Sequence, residues 1–305
     1  MTQRITGVLS PVVTPFKADL SPDTERFVRQ CKWLVANQVG LAVFGTNSEA
    51  NSLAVGERME LLEKLVEAGI APARMMPGTG CCALTDSVRL TAHAVKLGCA
   101  GALMLPPFYY KGVSDEGLYR NYAEVVERVG DARLQIYLYH IPQMTQVPIS
   151  LALIERLLKN YPKSIAGAKD SSGDWNNTKA MLDRFAKQGF DVFPGSETFL
   201  LAGLRAGGKG CISATANVNP AAIAKLFAEW KSDSADAQQA GLDRIRNIFQ
   251  KYPMIAAMKR AIAHWGGHAD WAVVRPPLVA LSAEQTAALI QDLEQAGFSM
   301  PGLKD

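Results

Sequence analysis

From Val8 to Trp230 the chain alternates short apolar or β-branched runs with longer amphipathic ones, and this order constrains the fold more than any other feature of the sequence. A strand covered on both faces reads as a continuous apolar run and its crossover helix as a 3.6-residue pattern, so the alternation is the signature of βαβ units. Eight strand segments can be counted: Val8 to Phe16, Leu41 to Thr46, Arg74 to Thr79, Ala102 to Pro107, Leu134 to His140, Ile165 to Lys169, Asp191 to Gly195 and Cys211 to Ala214. Helix starts are marked by Ser21-Pro22, Thr85-Asp86 and Asn219-Pro220, and helix ends by Gly40, Gly69, Gly98 and Gly189, where a left-handed cap is expected. No G-x-G-x-x-G follows the first strand, so the sequence predicts an α/β chain of the (β/α)8 TIM-barrel type rather than an open doubly wound sheet.

Beyond Trp230 helical patterns follow without intervening strands: Ala235 to Tyr252, Met254 to Trp265 and Ala283 to Ala296, with a turn at Pro276-Pro277. The polar stretch Lys231 to Asp236 separates a barrel domain, 1–232, from a small C-terminal helical appendage, 233–305. The 305 residues are 48% hydrophobic and 20% charged, the composition of a soluble globular chain with ample core. A formal charge of +3 without a block of like charges argues against nucleic acid or an anionic membrane as partner. Met1-Thr-Gln-Arg-Ile lacks the apolar core of a targeting signal and no apolar stretch is long enough to span a bilayer, so the expected location is cytoplasmic. Cys31, Cys81, Cys82, Cys99 and Cys211 show no C-x-x-C spacing, and reduced thiols are expected.

One residue breaks the apolar pattern. Ile165-Ala-Gly-Ala reads as a buried strand, yet Lys169 follows directly. Burial disfavours the ammonium form of a lysine, and a neutral amine is what carbonyl chemistry through an imine requires. The plainer reading is a strand-end lysine whose head reaches solvent or pairs with Asp170 or Asp174. In a barrel the chemistry sits at the C-terminal ends of the strands. Those ends supply Gly45-Thr-Asn-Ser-Glu49, Pro106-Pro-Phe-Tyr-Tyr110, Tyr137-Leu-Tyr-His-Ile-Pro142, Lys169, Gly195-Ser-Glu197 and Ser213-Ala-Thr215. Phenols, hydroxyls, an amide and one lysine suit a 2-oxo acid: the amine for an imine, a phenol for proton transfer, neutral donors for a carboxylate. Metal is not expected, since the His264/His268 pair lies in a Gly-rich turn without a third ligand nearby. His140 alternates with Tyr139 along its strand, which turns the histidine away from the barrel axis.

Four of these motifs, Gly45-Thr46-Asn47-Ser48-Glu49, Tyr139-His140-Ile141-Pro142, Gly167-Ala168-Lys169-Asp170-Ser171 and Ile212-Ser213-Ala214-Thr215-Ala216-Asn217-Val218, stand in order at the ends of the second, fifth, sixth and eighth strand segments. Together they resemble the dihydrodipicolinate synthase and N-acetylneuraminate lyase family over nearly the whole chain. The resemblance implies a metal-free class I lyase or aldolase without a cofactor, in which Lys169 forms a Schiff base with pyruvate or another 2-oxo acid. It implies that Tyr139 relays protons, that Thr46 and Asn47 hold the carboxylate and link to Tyr139, and that Ser48 binds substrate. Tyr110 would be inserted across a subunit contact, in a homotetramer built as a dimer of dimers. Ser171, Gly195, Ser196 and Glu197 would contact substrate, and Ile212 would offer a backbone carbonyl. Each has a plainer reading: Tyr139 a core tyrosine, Thr46 a turn hydroxyl, Tyr110 an aromatic under a loop, Glu197 a solvated charge.

Two departures bear on the reaction. Where the synthases carry an arginine for the carboxylate of aspartate semialdehyde, this chain has Met144, and a thioether cannot clamp a carboxylate. Asn47 and Ser48 replace the family's more usual hydroxyl and glycine, which resembles the 4-hydroxy-2-oxoglutarate and sugar-acid aldolases or dehydratases. Cleavage or dehydration of a hydroxylated 2-oxo acid is therefore expected ahead of lysine-pathway synthase chemistry. A non-catalytic keto-acid-binding barrel is the alternative of another class.

Overall fold

The computed structural model describes residues 4–303; Met1–Gln3, where a targeting signal was sought in the sequence, and Lys304–Asp305 lie outside the described residues. The strands are β1 (Gly7–Ser10), β2 (Gly40–Leu41), β3 (Ala102–Met104), β4 (Ile136–His140), β5 (Ile165–Asp170), β6 (Asp191–Pro194) and β7 (Gly210–Ile212), each separated from the next by helix. By contact the chain divides into two compact units.

The first unit joins residues up to Gly7 with Ala71–Ile212. Its parallel sheet runs β3-β4-β5-β6. Leu138 pairs with Ala168 and Tyr139 with Lys169, and Lys169 pairs in turn with Phe193. Ile136, Leu138, Ala168 and Val192 pack outward against Leu118, Tyr122, Leu153, Leu157, Met181 and Phe185 of the covering helices. Alternation along the strands then sends Tyr137, Tyr139 and Lys169 to the opposite face. Gly167 is needed there, since a Cβ would stand 2.1 Å from the Asp191 carbonyl and 2.9 Å from the Tyr137 ring. The strand expected over Arg74 to Thr79 is not a full strand. Pro72–Arg74 forms a 3-10 turn, and pairing reduces to a bridge at Gly78–Leu103 flanked by bonds from Leu103 N to Pro77 O and Thr79 N to Leu103 O, both 2.9 Å. Pro77 has no N–H for a ladder. The same rule stops β3 before Pro106-Pro107.

The second unit joins Val8–Ile70 with Ser213–Asp305. The polar stretch Lys231 to Asp236 lies inside it. β1 and β2 pair in parallel through Leu9–Gly40 and Ser10–Leu41. Both are shorter than the sequence pattern predicts, because Pro11 interrupts β1 and Phe44 takes a left-handed φ of 62° beyond β2. Val13, Val218, Phe249, Met258, Ile262, Leu289 and Phe298 form its core. The helices Ala235–Gln250, Met254–Gly266 and Ala283–Gln295 lie within two residues of the predicted spans. Asn217 ties its loops together: its amide accepts from Val13 N (2.9 Å) and donates to Pro11 O (3.1 Å) and Ala214 O (2.9 Å).

Candidate active site

Within the first unit the arrangement centres on Lys169, only 2% exposed near the end of β5. Its Nζ stands 4.2 Å from the centroid of the Tyr139 ring, on the face of the phenol. A cation or a developing iminium is favoured over such a face. The plainer reading of Lys169 does not hold. Its side chain is buried, Asp170 accepts from Ser172 N (3.0 Å), Asn177 Nδ2 (3.0 Å) and Thr178 Oγ1 (2.6 Å), and Asp174 caps the helix Trp175–Phe185 by accepting from Asn176 N (2.9 Å).

His140 ends β4 and, as its alternation with Tyr139 predicts, takes part in the outer layer: its Nδ1 accepts from Ile149 N (3.0 Å), and its carbonyl accepts from Ser171 N (2.8 Å). Burial holds its pKa below the usual imidazole value, with the nearby Asp170 carboxylate opposing. Beyond it, the turn Pro142–Thr145 carries Met144, 62% exposed. Lys111 reaches this turn, donating to Thr145 O at 2.8 Å and also to Phe108 O. Beside it Tyr109 and Tyr110 stand out from the surface, Tyr110 74% exposed, with their rings edge to face at 5.4 Å. Tyr110 is thus no aromatic buried under a loop.

After β5 and β6 the backbones of Ser171 and Gly195 come close. Gly195 N donates to Asp170 O at 2.6 Å, and a Cβ on Gly195 would lie 2.0 Å from Ser171 Oγ. Ser196 Oγ accepts from Thr198 N (3.3 Å) at the start of the 3-10 turn Glu197–Phe199. Glu197 is 1% exposed, which corrects the reading of it as a solvated charge. Ile212 closes β7 and is fully buried.

In the second unit, Thr46–Ser48 is a 3-10 turn rather than the strand end expected. Ser48 Oγ accepts from Gly45 N (3.3 Å) and Ser48 O from Thr14 Oγ1 (2.7 Å), leaving Thr46 and Asn47 half-buried at the tip. Sequence reasoning missed the role of Glu49. It is fully buried and accepts from Lys259 Nζ at 2.5 Å and Arg275 N at 2.9 Å. The available signal was Lys259 itself, a cation on the apolar helix face of Ala256, Ile262 and Ala263. Among the described residues no three His, Cys, Asp or Glu side chains cluster to hold a metal, and His268 instead caps Asp270 N and contacts Arg26. No described helix is long and apolar enough to cross a membrane.

A family model for the dihydrodipicolinate synthetase family matches residues 4–296. The chain belongs to this family. An uncharacterized DapA-like lyase of Chloroflexus aurantiacus is 33% identical over 287 residues, 93% of this chain and 94% of that protein. The crystal structure of dihydrodipicolinate synthase from Agrobacterium tumefaciens superposes with a TM-score of 0.88 at 30% identity, covering 96% of this chain and 99% of that one. YagE of E. coli K12, a dihydrodipicolinic acid synthase family protein crystallised with pyruvate, gives 0.88 at 26% identity, with 96% and 99% covered. The fold is accordingly the α/β (β/α)8 TIM barrel of the dihydrodipicolinate synthetase family with further helices at the C-terminus, as the alternating pattern predicts. Members of this family are class I lyases and aldolases.

Proposed function

We propose that this protein cleaves or dehydrates a hydroxylated 2-oxo acid through a Schiff base on Lys169. The observation that carries the reading is a buried lysine laid against the face of a tyrosine, with the neighbouring carboxylates bonded elsewhere. The Nζ lone pair adds to the ketone carbon, and loss of water leaves the imine. The Tyr139 phenol gives its proton to the hydroxyl that leaves as water, so the imine is formed protonated. In an aldol cleavage the C3–C4 bond then breaks, its electrons pass into the protonated imine to form an enamine, and the proton of the C4 hydroxyl goes to the now deprotonated oxygen of Tyr139. Return of a proton to C3 and attack of water on the imine release pyruvate and free the amine. Thr46, Asn47 and Ser48 are proposed to hold the carboxylate, Ser171, Gly195, Ser196 and Glu197 to contact the rest of the substrate, and the Ile212 carbonyl to accept from it. No metal or cofactor enters this scheme. The reading extends to a cytoplasmic homotetramer in which the exposed Tyr110 is covered by a second copy, with a boundary between barrel and C-terminal helices at 232/233.

Met144 at the family's arginine position leaves no guanidinium to clamp the carboxylate of aspartate semialdehyde, which favours a hydroxylated 2-oxo acid of the 4-hydroxy-2-oxoglutarate or sugar-acid type over the synthase reaction. A second reading, 4-hydroxy-tetrahydrodipicolinate synthase, draws support from Lys111, whose ammonium reaches the same turn. One experiment separates them. The protein is reduced with borohydride in the presence of pyruvate and weighed intact, and a panel of 4-hydroxylated 2-oxo acids is assayed for pyruvate release beside condensation of pyruvate with aspartate semialdehyde. A covalent adduct with release from a hydroxylated acid is expected. Absence of an adduct would leave a keto-acid-binding protein, and faster condensation would favour the synthase.

A further inference from the structure

Glu49 and Lys259 form an ion pair with no exposed side-chain surface, 2.5 Å apart and 210 residues apart in sequence. Desolvating two charges costs more than an apolar pair of the same volume would, so such a pair is not explained by stability. Its position suggests another reason. Glu49 is the residue on which the Thr46–Ser48 turn closes: its N–H donates to Thr46 O at 3.1 Å and its backbone is left-handed, φ 56° and ψ 33°. A glutamate takes that conformation only where its surroundings fix it. Here both carboxylate oxygens are fixed, Oε1 by Lys259 and Oε2 by Arg275 N. Arg275 is itself anchored, to Leu20 O (2.8 Å), Ser52 O (2.6 Å) and both oxygens of Glu57. The Phe16 ring lies beneath both cations, 4.5 Å from Lys259 Nζ and 4.7 Å from the Arg275 guanidinium carbon.

We infer that Lys259 is a positioning residue: through Glu49 it holds the Thr46–Ser48 turn in the shape that receives the carboxylate of the 2-oxo acid. The inference rests on the function proposed above for what the turn receives, and on geometry alone for what holds it. Burial draws the Lys259 amine down to about 8, while the Glu49 carboxylate and its hydrogen bond pull the other way.

Two measurements on Lys259→Met test it. Pyruvate at half-saturation of the borohydride-trapped adduct should rise at least about tenfold, while the trapping rate at saturation stays within about threefold, because Lys169 is untouched. Hydrogen exchange at the amides of Ser48, Glu49 and Ala50, which donate to Gly45 O and Thr46 O, should speed up by about tenfold or more, with β5 unaffected. Lys259→Arg should restore part of both. The double variant Glu49→Leu/Lys259→Met leaves no lone buried charge and keeps the protein folded should the single one fail; it should show the same two defects. Parental half-saturation or parental exchange in either Met variant overturns the inference. If the parent itself forms no adduct, the proposed function falls, and the exchange rates still decide whether Lys259 holds the turn.

Discussion

Lys169 and Tyr139 are register partners on adjacent parallel strands, and the amine of one lies over the ring of the other at 4.2 Å. The pairing makes the amine and the phenol one unit, so the two residues call for separate substitutions that leave each other's packing intact.

Lys169→Ala should abolish the borohydride-trapped pyruvate adduct. The melting temperature should stay within a few degrees of the parent, because a buried amine contributes little that a small side chain loses. Intact mass and a thermal melt check this together; an alanine variant that still gains the mass of reduced pyruvate assigns the nucleophile elsewhere.

Tyr139→Phe keeps the ring over Lys169 and removes only the hydroxyl. Turnover should fall by about 10²-fold or more, the usual contribution of a positioned acid or base, while the adduct still forms slowly. Steady-state kinetics beside single-turnover trapping separates the two. Turnover within about threefold of the parent would make Tyr139 a packing residue.

Met144 is 62% exposed on its turn, so an arginine fits without repacking the core. Met144→Arg should raise condensation with aspartate semialdehyde by about 30 to 150-fold, the value of a charge-assisted contact of roughly 2 to 3 kcal/mol, and leave pyruvate adduct formation unchanged. Lys111→Met in the parent supplies the control: if Lys111 already serves as the cation, the parent condenses well and loses that activity on substitution.

His140 ties stability to pH. Burial lowers its folded pKa beneath the ordinary value of about 6.5, so the unfolded chain binds the proton first as pH falls. The neutral imidazole therefore contributes stability that is complete above about pH 6.5 and is lost as pH drops towards the folded pKa, with a slope of up to about 1.4 kcal/mol per pH unit. Asn at 140 presents an oxygen where Nδ1 accepts from Ile149 N. Denaturant melts of His140→Asn between pH 7 and 5 should be flatter than those of the parent; equal slopes would place the acid sensitivity in another group.

The sequence was legible wherever periodicity and local breakers decide structure. β5 with its lone lysine, the outward His140 and the three C-terminal helices all follow from residues within one element. It was less legible where one segment completes another. Phe44 and Thr46 read as strand because β-branched and aromatic residues favour extended backbone, yet Phe44 turns left-handed and the chain enters a 3-10 turn. Glu197 reads as a surface acid because a carboxylate after a strand is ordinarily solvated, whereas the structure leaves it 1% exposed. Glu49 gave no local sign of its partner, since Lys259 lies on a helix at the far end of the chain and only tertiary packing brings them together.

The composition of the second unit sets a timetable for the nascent chain. Val13 waits in its core for Phe249, Ile262 and Phe298, which leave the ribosome after the first unit, most of which is one continuous stretch, 71–212. A stretch made of near-neighbour βα units can fold while synthesis continues, but closing the second unit requires joining segments separated by the whole of that stretch. Until then the apolar faces of 8–70 stay open and Glu49 has no ammonium partner, so newly made chains are most exposed to aggregation and to chaperones in the interval before the helices Ala235–Gln250, Met254–Gly266 and Ala283–Gln295 emerge.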